Sequence, residues 1–240
     1  MRASFLLSVF AFAVLASSCG TRQEAASRSA AAQSVATATN ATNGFSGPWG
    51  VDIAQPEPKP GALPLAKQLA VFAGARQAAD DLGFSEKTPP DMASGKELFS
   101  QSRLLLPEEA LEGQQLFGVP TANGWVCPYF VYPDDGSLGD SGPCWFSLRD
   151  GIAFSLEGEG SIYRLYGVVA NDVRSVSIVA GDRPYESQMG SNAFAFEMKS
   201  NAVCPADIDG LLVQRKDGST STVELRSVAP PLSREQFGCR

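Results

Sequence analysis

Alternation of apolar and polar positions is densest from Ser161 to Met198, SIYRLYGVVANDVRSVSIVAGDRPYESQMGSNAFAFEM. Side chains two residues apart share one face of a strand, so this pattern predicts strand, turn, strand, turn, strand, loop, strand. Tyr163, Leu165, Gly167 and Val169 fall on one face of the first strand, and Val176 and Ile178 give the next its buried face. Phe194, Phe196 and Met198 alternate with Ala193, Ala195 and Glu197. Asn171-Asp172 and Gly181-Asp182 are turn formers between these runs.

The strand pattern extends both ways. LFGVP and GWVCPYFVY flank Asn123-Gly124, a strong tight-turn signal. CWFSL and GIAFSL follow, and after Cys204 the runs GLLVQRK and STVELRS are joined through Lys216-Asp217-Gly218. Upstream the period changes. Leu65, Leu69 and Phe72 fall at helical spacing, with Pro64 suited to a first turn and Gly74 to a stop. Short helical turns are expected at Arg76 to Leu82 and at Pro107 to Leu111. The expected class is α+β, mainly β: a small antiparallel β-sandwich or partly open barrel with short N-terminal helices packed on it. Residues 61–240 form the single domain, with helices and loops over 61–113 and the β-rich part over 114–240.

The segment before residue 61 reads differently. Arg2, the apolar run Phe5 to Leu15 and the small residues after it have the three parts of an export signal, residues 1–18. That run is too short to span a bilayer, which takes about 20 residues. Leu15-Ala16-Ser17-Ser18-Cys19-Gly20 resembles a bacterial lipobox, with Ala16 where Leu is commoner, and makes Cys19 the expected lipidation site. Ordinary cleavage near Ala16 or Ser18, leaving a soluble secreted protein, is the alternative. Residues 19–60 are expected to be a disordered tether, Ala/Ser/Thr-rich and then spaced by Pro56, Pro58 and Pro60. The expected location is extracytoplasmic, with a lipid anchor in the cell membrane.

The chain has five cysteines. Setting Cys19 aside leaves Cys127, Cys144, Cys204 and Cys239, which in an oxidising compartment imply two disulfides in one of three pairings. The preferred pairing is Cys127–Cys144, bracketing the turn-rich YPDDGSLGDSGP, and Cys204–Cys239, tying the penultimate residue to the body. No CxxC spacing suggests zinc or redox chemistry.

Composition excludes more chemistry than any motif supplies. There is no histidine, so Ser-His and Cys-His nucleophile pairs and His-ligated metal sites are ruled out. A formal charge of −7 argues against nucleic acid as a partner. Asp134, Asp135 and Asp140 are the best carboxylate cluster, and Asp207 and Asp209 a weaker one, but neither has the ligand spacing of an EF-hand. Solvated turns account for both. Glu157 and Glu159 share a strand face and would serve a hydrolase that works with paired carboxylates. Ser94-Gly95-Lys96, Ser85-Glu86-Lys87 and Lys199-Ser200 lack any nucleophile-elbow context. Trp125, Tyr129 and Trp145, with Phe130 and Tyr132, cluster around the first cysteine pair. They would form either a stacking surface for sugars or peptides or packing against the disulfide, and packing is the commoner outcome. No catalytic residue, cofactor or metal is assigned.

VFAGARQAAD, SRLL, GVPTANGWVC, Cys144, YGVVANDVRSVSIV and NAFAF occur in that order between Leu65 and Met198. In this order they resemble a group of uncharacterised exported proteins and lipoproteins of high-GC Gram-positive bacteria. The resemblance implies export and a C-terminal β-rich domain; it implies no activity and carries over no catalytic residues. Gly74 falls inside the Phe-x-x-x-Arg step of this chain and weakens a continuous helix there. The expected role is a non-catalytic, lipid-anchored binding module at the cell envelope, its partner an envelope protein or a glycan. The alternative is a His-free cell-wall or glycan hydrolase using acidic residues.

Overall fold

A computed structural model describes residues 49–51, 53–84, 96–111, 113–134, 136–138, 142–159, 162–199 and 202–239, with backbone alone at Trp49 and Glu159. The signal segment, Cys19, most of the tether, Ser85 to Lys87, Ser94, Asp135, Asp140 and Ser200 lie outside the described residues.

The Ser161–Met198 pattern forms the middle of the molecule. β1 (Trp49–Val51), β5 (Ile152–Glu159), β6 (Ile162–Val169), β10 (Ala193–Lys199) and β9 (Gln188–Gly190) make a five-stranded sheet in the order β1-β5-β6-β10-β9. β12 (Thr220–Glu224), β11 (Ile208–Arg215), β7 (Val173–Ala180) and β8 (Arg183–Glu186) make a second sheet, and β2 (Arg103–Leu106), β3 (Gln115–Pro120) and β4 (Val126–Val131) a third. Neighbouring strands within each sheet are antiparallel. The architecture is mainly β and is not a closed barrel.

Both faces of the central sheet are buried. Phe154, Leu165, Phe194 and Met198 point to the second sheet and meet Val176, Ile178, Leu211 and Val213. From the opposite face Ala153, Tyr166, Val168 and Ala195 meet Leu105, Leu116, Val126 and Phe130 of the third sheet. The small residues of β10 face the third sheet and its large ones the sandwich core, as the alternation requires. The outer face of the third sheet carries a smaller core of Phe117, Val119, Tyr129, Leu82 and Phe99. β8 and β9 are separated only by Ser187 yet belong to different sheets, so the chain turns the corner of the sandwich there. At Gly190 a Cβ would overlap the Leu105 carbonyl, and the next residue, Ser191, donates its N–H to that oxygen at 3.0 Å. Glycine is what lets β9 lie this close to β2.

Both disulfides form as preferred, Cys127–Cys144 and Cys204–Cys239. The first links β4 to an arm that pairs with it through Val126 and Trp145, whose backbones exchange hydrogen bonds of 2.8 and 2.7 Å. The second holds the C-terminal segment, where the Tyr163 hydroxyl donates to the Phe237 carbonyl and the two rings meet edge-on at 5.4 Å.

Three expectations need correction. The folded part begins before residue 61, because β1 pairs with β5 and buries Val51, and Ala54 N–H reaches Val228 O at 2.6 Å. The expected helix from Pro64 to Phe72 is two pieces, α1 (Leu65–Gln68) and α2 (Ala70–Ala73), parted at Leu69, which is extended with ψ 122 and fully buried. CWFSL is not a strand; it makes one isolated bridge, at Trp145.

Candidate functional site

The carboxylates are held in structural pairs. β5, β6 and β10 align Glu157 with Arg164 and Arg164 with Glu197, on the face turned to the third sheet. Arg164 Nε lies 3.1 Å from Glu197 Oε2, and its guanidinium sits 6.0 Å from the centre of the Phe130 ring. Glu157 accepts the hydroxyl of the fully buried Tyr166, whose ring also meets Phe130 and Trp145 edge-on. The side chain of Glu159, the expected partner of Glu157, lies outside the described residues.

The described aspartates do not converge either. Asp134 is exposed in its turn, while Asp207 pairs with Arg234 and Asp209 accepts the Gly181 N–H at 3.0 Å. One oxygen of Glu97 and the sulfurs of Cys127 and Cys144 lie within 4.8 Å of one another, but those sulfurs are bonded together and offer no thiolate. Glu97 hydrogen-bonds Tyr129, and burial first, then the Glu97 charge, pushes the Tyr129 hydroxyl well above the usual tyrosine range.

The three aromatics proposed for a ligand surface separate. Tyr129 packs edge-on against Phe99 at 5.5 Å, and Trp145 donates Nε1–H to Ser155 Oγ at 3.1 Å; both are buried. Their polar atoms have partners inside, which is how Tyr and Trp are accommodated in a core. Only Trp125 is exposed, at 42%, tilted against Phe146.

Trp125 follows directly on a turn that forms one wall of a surface groove of about 450 Å³. α1 and α2 form a second wall, and residues 98–103 a third. The geometry starts at Asn123-Gly124. Gly124 has φ 75, open to glycine, and a Cβ there would overlap Pro64. Pro64 therefore rests on the turn, and Ala66 N–H donates to Gly124 O at 2.9 Å. This docking brings Pro64 and Gly124 together at the groove. Segment 96–98 joins the other side of the turn, through Leu98 N–H to Pro120 O at 2.7 Å and Ala122 N–H to Lys96 O at 3.0 Å.

Arg103 closes the base. Nε donates to Val71 O at 3.1 Å, Nη1 to the Gln101 and Ser102 carbonyls, and Nη2 to Gly74 O at 3.0 Å. It thereby fixes α2 to β2. Neither Arg103 nor Lys67 stands out as a site residue in the sequence. The one available signal was an arginine entering the otherwise apolar run LLL.

No family model, curated protein or solved structure matches this chain. No helix among the described residues is long and apolar enough to cross a membrane.

Proposed function

We propose that this chain is a non-catalytic, extracytoplasmic binding module, anchored by a lipid on Cys19, whose ligand site is the groove between α1, α2 and the β3–β4 turn. The groove carries the reading. It is a preformed concavity with apolar walls and a few polar groups, the usual character of a small-ligand site. Two of the three exposed large apolar residues among those described, Leu63 and Trp125, are the chain neighbours of the lining residues Pro64 and Gly124. Of the carboxylates expected for a hydrolase, Glu157 accepts the Tyr166 hydroxyl.

Anchoring is tested by fractionating cells that express the natural chain and Cys19→Ala. The variant is expected in the soluble extracytoplasmic fraction; equal membrane association of the two overturns the anchor. The site is tested by placing a photo-crosslinking residue at Ala122, an exposed position lining the groove, in intact cells. Adducts at Ala122 but not at exposed Asp182, on a distant turn, are expected. Turnover of wall glycan that disappears on Glu157→Gln or Asp135→Asn would replace this reading with a hydrolase.

A further inference from the structure

The charge of the groove runs against that of the chain. There are 26 Asp and Glu residues against 19 Lys and Arg, yet among the described residues the ionisable ones lining the groove are Lys67 and Arg103. Asp80 lies 3.9 Å from Arg103 Nε, and its two oxygens accept Gln77 N–H at 2.6 Å and Leu104 N–H at 2.9 Å. Lys67 is exposed and makes no ion pair among the described residues. Phe72, Leu98 and Pro120 supply apolar wall. A neutral apolar ligand would have no use for this placement of charge, and a cation would meet repulsion.

We propose that the groove takes a small anionic ligand with an apolar body: a carboxylate, sulfonate or phosphate set against Lys67, with rings or an aliphatic chain against Phe72 and Leu98. This rests on the groove being the ligand site, and the test separates the two. The probes are 1-anilinonaphthalene-8-sulfonate and N-phenyl-1-naphthylamine, which share one apolar skeleton and differ by the sulfonate. Each is titrated by fluorescence into the detergent-free Cys19→Ala chain, into the same chain with Lys67→Glu, and into the same chain with Ala73→Trp. Ala73 is exposed and lines the groove, so Trp there fills it while leaving the core intact.

The sulfonate is expected to bind more tightly than the neutral probe by up to about fivefold, the upper end for one exposed charge pair. Lys67→Glu is expected to abolish that preference, and Ala73→Trp to weaken both probes. Equal affinity for the two probes, or a preference untouched by Lys67→Glu, overturns the anionic ligand and leaves the groove as a site. Absence of binding, or binding indifferent to Ala73→Trp, overturns the groove itself. Circular dichroism of each variant confirms that the fold is retained.

Discussion

Asn192 Nδ2 donates to Asn171 Oδ1 at 2.8 Å, joining the turn after β6 to the turn before β10. The same two side chains cap α2: Asn171 Oδ1 accepts Ala70 N–H at 2.8 Å, and Asn192 Oδ1 accepts Val71 N–H at 2.9 Å. Asn171 Nδ2 also donates to Gln68 O at the end of α1. A four-residue helix does not stand alone in water. Here two turns of the central sheet supply its caps, and with it one wall of the groove.

Substitution separates the two parts of this arrangement. Asn171→Ala removes a cap and is expected to cost about 1 kcal/mol. Asn192→Ala also puts alanine, which tolerates the left-handed region less well than asparagine, at φ 55, and its cost is expected to rise to about 2 kcal/mol. Asn192→Gly tolerates that φ and should recover about half. Urea unfolding of the three variants gives the order; equal costs for Asn192→Ala and Asn192→Gly would remove backbone strain from the account.

β6, β7 and β10 were legible because their large apolar side chains recur at a two-residue period toward one core. The faces read for Tyr163, Leu165, Val176, Phe194 and Met198 are those the structure buries. The third sheet was harder to read. β4 is buried along its whole length, so VCPYFV carries no alternation to show which side faces what. That is why Tyr129 could be read as platform as well as core, with core packing the commoner outcome. The break at Leu69 depends on Asn171 and Asn192, about a hundred residues away, and no local pattern encodes it. The groove was illegible for the same reason: its walls meet only through Pro64 on Gly124 and segment 96–98 on the turn.

Cys127–Cys144 closes a 17-residue separation and Cys204–Cys239 one of 35. On the chain-entropy model these constrain the unfolded chain by about 3 and about 4 kcal/mol. Replacing either pair by Ser is expected to lower the urea midpoint without changing the other linkage. Non-reducing peptide mapping checks the connectivity, and a peptide joining Cys127 to Cys204 or Cys239 would contradict it.

Tyr129 gives the fold an alkaline limit. Its folded pKa is raised above the ordinary 10.0, by burial first and then by Glu97. The unfolded chain therefore loses this proton while the folded one keeps it, so stability is fully present below about pH 10 and falls as pH rises beyond it. Tyr163, raised by burial, acts in the same direction. In Tyr129→Phe the decline in unfolding free energy above pH 10 is expected to be shallower than in the natural chain. Parallel slopes would mean that Tyr129 does not contribute.

Residues 49–60 are the sharpest disagreement between composition and structure, and they yield a direct test. Pro56, Pro58 and Pro60 give this segment the look of a tether. Yet Gln55 Nε2 donates to Cys144 O at 3.1 Å, and Gln55 Oε1 accepts Phe146 N–H at 2.8 Å. Pro56 O accepts the Ser147 hydroxyl, and Val51 is buried in the sandwich core. In a tether both Gln55→Ala and Val51→Ala would leave stability unchanged. Here Gln55→Ala removes two hydrogen bonds and should cost about 1–2 kcal/mol. Val51→Ala should cost about 1–3 kcal/mol, because truncating a buried side chain loses its transfer energy and leaves a cavity. Two silent substitutions in urea unfolding would return the segment to the tether and leave β5 as the edge of the central sheet.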